Sequence, residues 1–274
     1  MPTKPILRWP GGKTRLLSEI LPAIRPHRLY VEGFAGGLAV LLAKPRSPAE
    51  VVNDLSGDLV NLYRHAQFHL DALVAEVEWT LTSRQDLADL VNQPGLTGLQ
   101  QAARFLLRNR LSFGGGGSSF AVSSQAQPSR ANVLAALGAF SERLDKVAVE
   151  NLPYERLMDT YDRPDAFWFL DPPYSTGKVE TYGLWTPAQM DSFAARVDAL
   201  EGDWLVTVND CPHNRDLFAR HEVKAVVTKS QAVNQRLKPN ATFGELVIQP
   251  RKRGTQKAFK SAFKCPSKPL LKAA

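Results

Sequence analysis

The chain of 274 residues is long enough for one sizeable core, or for one core with a small lobe. Its 44% hydrophobic and 22% charged residues, with 18 Gly and 19 Pro, are ordinary globular proportions and exclude whole-chain disorder, collagen-like repeats and coiled coil. The net charge of +7 is local: residues 250–274 hold eight Lys or Arg and no acid, leaving 26 basic against 27 acidic residues elsewhere.

In chain order, short apolar runs that end in small or acidic residues predict strands at 29–33 (LYVEG), 50–54 (EVVND), 147–151 (VAVEN), 167–171 (FWFLD), 204–209 (WLVTVN), 223–228 (VKAVVT) and 244–249 (GELVIQ). Helical patterns lie between most of them, at 15–24, 38–43, 58–79, 187–199 and 213–220. Strands that alternate with helices predict a parallel α/β sheet covered on both faces. The last two strands lack a helix between them and read as a hairpin added to that sheet. Residues 66–144 break the alternation, with helices near 83–92, 99–110 and 132–144 around the stretch FGGGGSSFAVSS at 113–124. Four consecutive glycines cannot hold a helix, so this region reads as an inserted helical lobe carrying a loop. No Asp or Glu occurs between Asp89 and Glu142, whereas Arg104, Arg108, Arg110 and Arg130 do. A phosphate-facing surface needs that imbalance, although the stretch is also simply rich in Ala, Leu, Gln and Ser. The basic tail is likewise either a solvated end or an attractor of polyanions.

No apolar run approaches the ~20 residues of a membrane span. The opening MPTKPILRWPGGK lacks the apolar segment of a signal peptide. Cys211 and Cys265 stand far apart and fit neither a disulfide framework nor a zinc site. A cytoplasmic protein with no membrane and no metal partner is expected. His65 and His69 share a helix face, but no third ligand is evident and a solvated face is the better reading. Cys211 has no activating partner.

Ligands of open α/β sheets bind beyond the carboxyl ends of strands, where strand order reverses. The predicted strand ends carry Glu32-Gly33-Phe34-Ala35-Gly36-Gly37, Asn53-Asp54, Asn151 and Asp171-Pro172-Pro173-Tyr174. A glycine-rich turn lets backbone approach a bulky ligand, and an acid ending the second strand can hold a ribose diol. Gly12-Lys13-Thr14 resembles the end of a phosphate loop, but position 7 is Leu7 where that loop needs Gly. Lys13 would oppose a helix dipole, and a ligand carboxylate would supply its reason. Asp171-Pro172-Pro173-Tyr174 follows an apolar strand that two prolines then stop. The resulting rim can accept hydrogen bonds from an amino group while an aromatic face stacks on a planar ring.

Ile6-Leu7-Arg8-Trp9-Pro10-Gly11-Gly12-Lys13, the turn from Glu32 to Gly37, Asn53-Asp54-Leu55 and Asp171-Pro172-Pro173-Tyr174 occur in an order that resembles the Dam-type DNA adenine N6-methyltransferases. The helix from Asp58 to Tyr63, Asn109-Arg110 and Val208-Asn209-Asp210 are also similar to that family, so the resemblance runs over residues 4–249. It implies a seven-stranded, Rossmann-like sheet dependent on S-adenosylmethionine, with a target-recognition lobe inserted in it. The catalytic domain would span 1–65 and 145–249, the lobe 66–144 and the basic tail 250–274. Trp9, Lys13, Glu32, Phe34, Gly36, Asp54 and Asn151 match the cofactor side, Lys13 through the methionine carboxylate. Asp171 borders both sites; with Pro172 it would accept the target amino group, and Tyr174 would stack on the base. Arg8, Arg110 and Arg130 are the expected DNA contacts.

The activity implied is methylation of a flipped-out adenine in double-stranded DNA by a monomer, encoded by a bacterium or a phage, with a cognate restriction enzyme as a possible companion. Alternatives are the same fold acting on cytosine N4 or on RNA, and a catalytically silent DNA-binding protein. Two departures from the family pattern stand out. Leu38 occupies the last position of the Phe-x-Gly-x-Gly turn, with Gly37 before it, and is expected to shift that turn. The stretch 114–119 replaces a basic residue that would read a guanine, so recognition of GATC is not implied.

Overall fold

The computed structural model describes residues 3–78, 83–93, 95–112, 115, 130–174, 185–229 and 242–251. All seven predicted strands form: β1 (Leu29–Glu32), β2 (Ala49–Asn53), β3 (Val147–Glu150), β4 (Ala166–Leu170), β5 (Asp203–Asn209), β6 (Glu222–Lys229) and β7 (Thr242–Gln249). They make one sheet in the order β3-β2-β1-β4-β5-β7-β6. The first five run parallel, while β7 is antiparallel to both β5 and β6. The final hairpin therefore inserts its second strand beside β5. Strand order reverses between β1 and β4, so the carboxyl ends of those two strands flank a crevice.

Side-chain alternation divides the core. On one face Tyr30, Val52, Phe167, Phe169 and Leu205 share an apolar cluster with Ile20, Leu59, Leu62, Leu106 and Phe140. On the other, Val31, Val51, Trp168, Leu170 and Val206 pack with Leu157, Met158, Phe193 and Val197. All residues of β1 and β4 are buried, as parallel strands covered on both sides require.

The helices are α1 (Leu17–Ile20), α2 (Ala39–Ala43), α3 (Gly57–Phe68), α4 (Leu70–Glu78), α5 (Arg84–Asn92), α6 (Gly98–Leu111), α7 (Arg130–Leu144), α8 (Tyr154–Tyr161), α9 (Pro187–Asp198) and α10 (Pro212–Leu217). The helix predicted at 15–24 is mostly 3-10, with turns at Lys13–Leu16 and Leu21–Ala23 around α1. Pro22 falls where a continued α-helix would need its amide. The helix predicted at 58–79 breaks at His69, whose φ of −134° is not helical, and both halves then lie against α6. The helices expected above do not include α8, although Tyr154, Leu157, Met158 and Tyr161 keep helical spacing; it supplies the crossover from β3 to the distant β4. Helices α3, α4, α6 and α7 continue the apolar cluster of the first sheet face, and α3 crosses residue 65 without interruption. The stretch 113–124 lies outside the described residues except for Gly115, and so does the tail beyond Arg251. No helix among the described residues is long and apolar enough to cross a membrane.

Candidate active site

The turn after β1 is braced from three sides. Gly33 donates its amide to the Phe169 carbonyl at 3.0 Å, and a Cβ there would come within 2.7 Å of the Leu170 side chain. Gly36 has φ +45° and donates to Asp54 Oδ2 at 2.9 Å; a Cβ on it would strike the Trp9 indole at 2.6 Å. The Tyr63 hydroxyl donates to the Gly36 carbonyl. Leu38, in the last place of that turn, takes a left-handed φ of +57° and caps α2. That conformation costs roughly 1–2 kcal/mol in an L-residue. The Leu38 side chain is 0% exposed, and burial worth roughly 1.5–3 kcal/mol offsets the strain.

Glu32 is 1% exposed; its Oε2 accepts from the Tyr30 hydroxyl at 2.9 Å and the Leu41 amide at 3.0 Å. Burial pushes its carboxyl up to about 8, against the pull of those two donors and of Lys44, and Asp171 pushes it the same way as burial. Lys44 and Arg143 of α7 both grip Glu50 beneath the turn, Arg143 through contacts of 2.6 and 2.9 Å. Arg143 Nε also donates to the Leu41 carbonyl at 3.1 Å, and Lys44 sits 4.2 Å from the centre of the Tyr30 ring. A buried chain of polar contacts thus runs from α7 to Glu32.

At the end of β2, Asp54 accepts from Gly36 and from the Ser56 amide at 2.9 Å. Burial raises its carboxyl, partly countered by the amides of Ser56, Gly36 and Leu55. Asn53 ties three strand ends together: Nδ2 donates to the Gly33 and Leu152 carbonyls at 3.0 Å, and Oδ1 accepts from the Leu152 amide at 2.8 Å. Asn151 is exposed and donates to the Asp54 carbonyl at 2.7 Å. Leu55 beside it leaves 72% of its surface in solvent. Phe34 packs within 6 Å of Tyr154, Trp185 and Phe193, with ring centres 5.9, 5.8 and 5.9 Å away.

Beyond β4, Asp171 is the centre of a polar cluster. Its Oδ2 lies 2.6 Å from Lys13 Nζ, and its Oδ1 accepts from the Thr207 hydroxyl at 2.8 Å and the Tyr174 hydroxyl at 3.1 Å. Glu245 accepts from the same Tyr174 hydroxyl at 3.1 Å and lies 3.5 Å from Lys13 Nζ. Lys13 is 4% exposed and also donates to the Gly11 carbonyl at 2.7 Å. The protein's own carboxylates therefore give this lysine a reason that the sequence alone assigns to a ligand. Burial, Asp171 and Glu245 all hold the Tyr174 phenol well above its ordinary range, so it stays protonated and donates. Thr207 and Glu245 escape the sequence reading; the available signal is a polar residue set among apolar ones, between Val206 and Val208 in β5 and before Leu246, Val247 and Ile248 in β7.

Cations gather where α6 meets the segment before Trp9. Asn109 of α6 grips the backbone of Arg8, accepting from its amide at 2.8 Å and donating to its carbonyl at 3.1 Å. Gly115 closes on the same place with φ +78°, where a Cβ would meet the Arg8 carbonyl at 2.2 Å. Burial and the neighbouring Arg8 cation lower the Arg110 guanidinium. The Nε atoms of Arg108 and Arg110 are buried without partners, and no carboxylate among the described residues pairs with Arg8, Arg108 or Arg110. Of the predicted DNA contacts, Arg8 and Arg110 come together; Arg130 opens α7, and its side chain is outside the described set. His65 bonds back to the Asn61 carbonyl at 2.9 Å. No group of three His, Cys, Asp or Glu suited to a metal exists among the described residues.

The chain is 31% identical over 117 residues to the retron Ec67 DNA adenine methylase of Escherichia coli, covering 40% of this chain and 41% of that protein. It is 36% identical over 87 residues to the type II methyltransferase M.MjaIII of Methanocaldococcus jannaschii, covering 28% and 30%. The aligned segments thus span about two fifths or less of these relatives' lengths. An rRNA methylase structure from Streptococcus thermophilus aligns over 87% of this chain and 95% of its own at 11% identity, but a TM-score of 0.35 is too weak to bear on function. The profile of the D12 class N6 adenine-specific DNA methyltransferases matches residues 9–198, well over half of the chain, and the protein belongs to that family.

Proposed function

We propose that this chain transfers a methyl group from S-adenosylmethionine to the N6 amino group of an adenine flipped out of double-stranded DNA, acting as a monomer in the cytoplasm. The observation that carries the reading is the position of Asp171 and Tyr174: at the carboxyl end of β4, across the strand reversal from the Gly36 turn that Asp54 holds.

The donor set fits the cofactor. Asp54 retains lone pairs for a ribose diol, exposed Leu55 offers an apolar surface to an adenine, and Glu32 with the turn around Phe34 and Gly36 would face the methionine portion. Trp9 sets the shape of that turn, and Asn151 holds the Asp54 backbone from the β3 side. When bound, S-adenosylmethionine supplies an electrophilic methyl group on its sulfonium.

The chain's residues do the rest. Extruding a base costs a few kcal/mol, and stacking on Tyr174 returns on the order of 1–3 kcal/mol. The adenine amino group is a poor nucleophile because its lone pair is conjugated with the ring. Hydrogen bonds donated to the Asp171 carboxylate and the Pro172 carbonyl favour a pyramidal nitrogen with a localised lone pair, and rigid positioning supplies most of the remaining acceleration. Arg8 and Arg110, with Arg130 and the helices of 66–144, would meet the DNA backbone.

The test incubates purified chain with methyl-labelled S-adenosylmethionine and either DNA or RNA, then identifies the modified nucleoside. N6-methyladenine from DNA is expected. Asp171→Ala should lose at least roughly 100-fold in rate while keeping most of the cofactor affinity. Label on cytosine, label only on RNA, or full activity in the variant would refute the reading.

A further inference from the structure

Glu245 lies on β7, beyond the matched residues 9–198. A carboxylate beside Leu246, Val247 and Ile248 is costly to bury, yet its side chain is only 10% exposed. Its two neighbours, the Tyr174 hydroxyl and the Lys13 ammonium, are also the neighbours of Asp171. A phenol has one proton to donate. Tyr174 stands 3.1 Å from both carboxylates, so geometry favours neither acceptor. Thr207 adds a donor to the same Asp171 oxygen at 2.8 Å, which leaves that oxygen with both lone pairs engaged. An amino group arriving at this Oδ1 needs one of these donors to leave, and Glu245 is the acceptor in reach.

We propose that Glu245 is a positioning residue for methyl transfer: it receives the Tyr174 hydroxyl bond and shares the Lys13 ammonium as the amino group of the target base takes Asp171. The inference rests on the target-base site argued above. No covalent bond forms or breaks in the exchange, and each group keeps its charge; one hydroxyl proton changes acceptor. The phenol oxygen stays tethered throughout, so the Tyr174 ring holds its orientation while Asp171 becomes available.

The experiment uses the full chain with heterogeneous unmethylated DNA and S-adenosylmethionine. It compares wild type, Glu245→Gln, Glu245→Asp, Tyr174→Phe and the Tyr174→Phe/Glu245→Gln double variant in single-turnover rate, cofactor and DNA binding, and thermal unfolding. Glu245→Gln should lower the rate on the order of 10–100-fold, the range of a hydrogen bond to a charged group. Its dissociation constants should move less than about threefold, giving a loss in kcat and not in KM. Glu245→Asp should restore part of the rate, and the Tyr174 and Glu245 losses should be non-additive because both act on one hydrogen bond. A wild-type rate in Glu245→Gln, additive losses, or a rate loss matched by weakened binding or lowered unfolding temperature would overturn the proposal. Asp171→Ala is run alongside. Its inactivity beside an unaffected Glu245→Gln rejects the role of Glu245 alone; an inactive wild type, or an active Asp171→Ala, rejects the site and this inference with it.

Discussion

Leu38 shows how one residue can hold two opposed energies. Its left-handed φ of +57° would suit glycine, but its side chain is fully buried. Leu38→Gly would release roughly 1–2 kcal/mol of strain and forfeit roughly 3–5 kcal/mol of packing. The variant should therefore be less stable by about 1–4 kcal/mol in urea unfolding; equal or higher stability would mean that strain dominates. Glu32 makes a pH-dependent prediction. Its carboxyl is raised from 4.5 to about 8, so across that window the folded state holds a proton that the unfolded chain has released. Stability must then fall as pH rises through the window, by up to about 1.4 kcal/mol per unit. Glu32→Gln should flatten that slope when unfolding is compared at about pH 5.5 and about pH 8, and an unchanged slope would contradict the assignment. Residues such as Asp54 and Asp171 are legible in the sequence because each ends an apolar strand. Lys13 is legible as an anomaly only: its partners Asp171 and Glu245 lie 158 and 232 positions away, and no local pattern encodes that contact.

Among the elements, the strands are the most readable, since short apolar runs such as AFWFL, stopped by Asp171-Pro172-Pro173, fit a strand buried on both faces. Helix limits are less so. The His69 break follows from what each half packs against, whereas the short α8 is legible after all, since Tyr154, Leu157, Met158 and Tyr161 keep helical spacing. The junction between α7 and the turn is also tertiary, because Arg143, Glu50 and Lys44 meet from three separate elements. Removing one member of a buried ion cluster costs about 3–5 kcal/mol when it strands a charge. Glu50→Gln leaves two buried cations without an anion, whereas Arg143→Met leaves the Lys44–Glu50 pair intact. Glu50→Gln should consequently be the more destabilising of the two in urea unfolding, by at least about 1 kcal/mol, and the reverse order would show that the network is not the clamp described.

At the scale of the whole molecule, charge is divided between a nearly neutral body and a basic end carrying eight Lys or Arg. If the end meets DNA, deleting residues 251–274 should reduce the slope of log affinity against log salt by up to about 0.9 for each phosphate that the tail neutralises. An unchanged slope would make the tail a bystander. The body offers its own cations at Arg8 and Arg110, which lie together where Asn109 grips the backbone of Arg8. The most direct test is single-molecule sequencing of DNA from a methylation-deficient host that expresses this chain, beside a host expressing Asp171→Ala. Modified adenines in a defined sequence context, absent from the Asp171→Ala DNA, are the predicted result. Unmodified DNA from both hosts, or methyl groups on cytosine, would contradict the account.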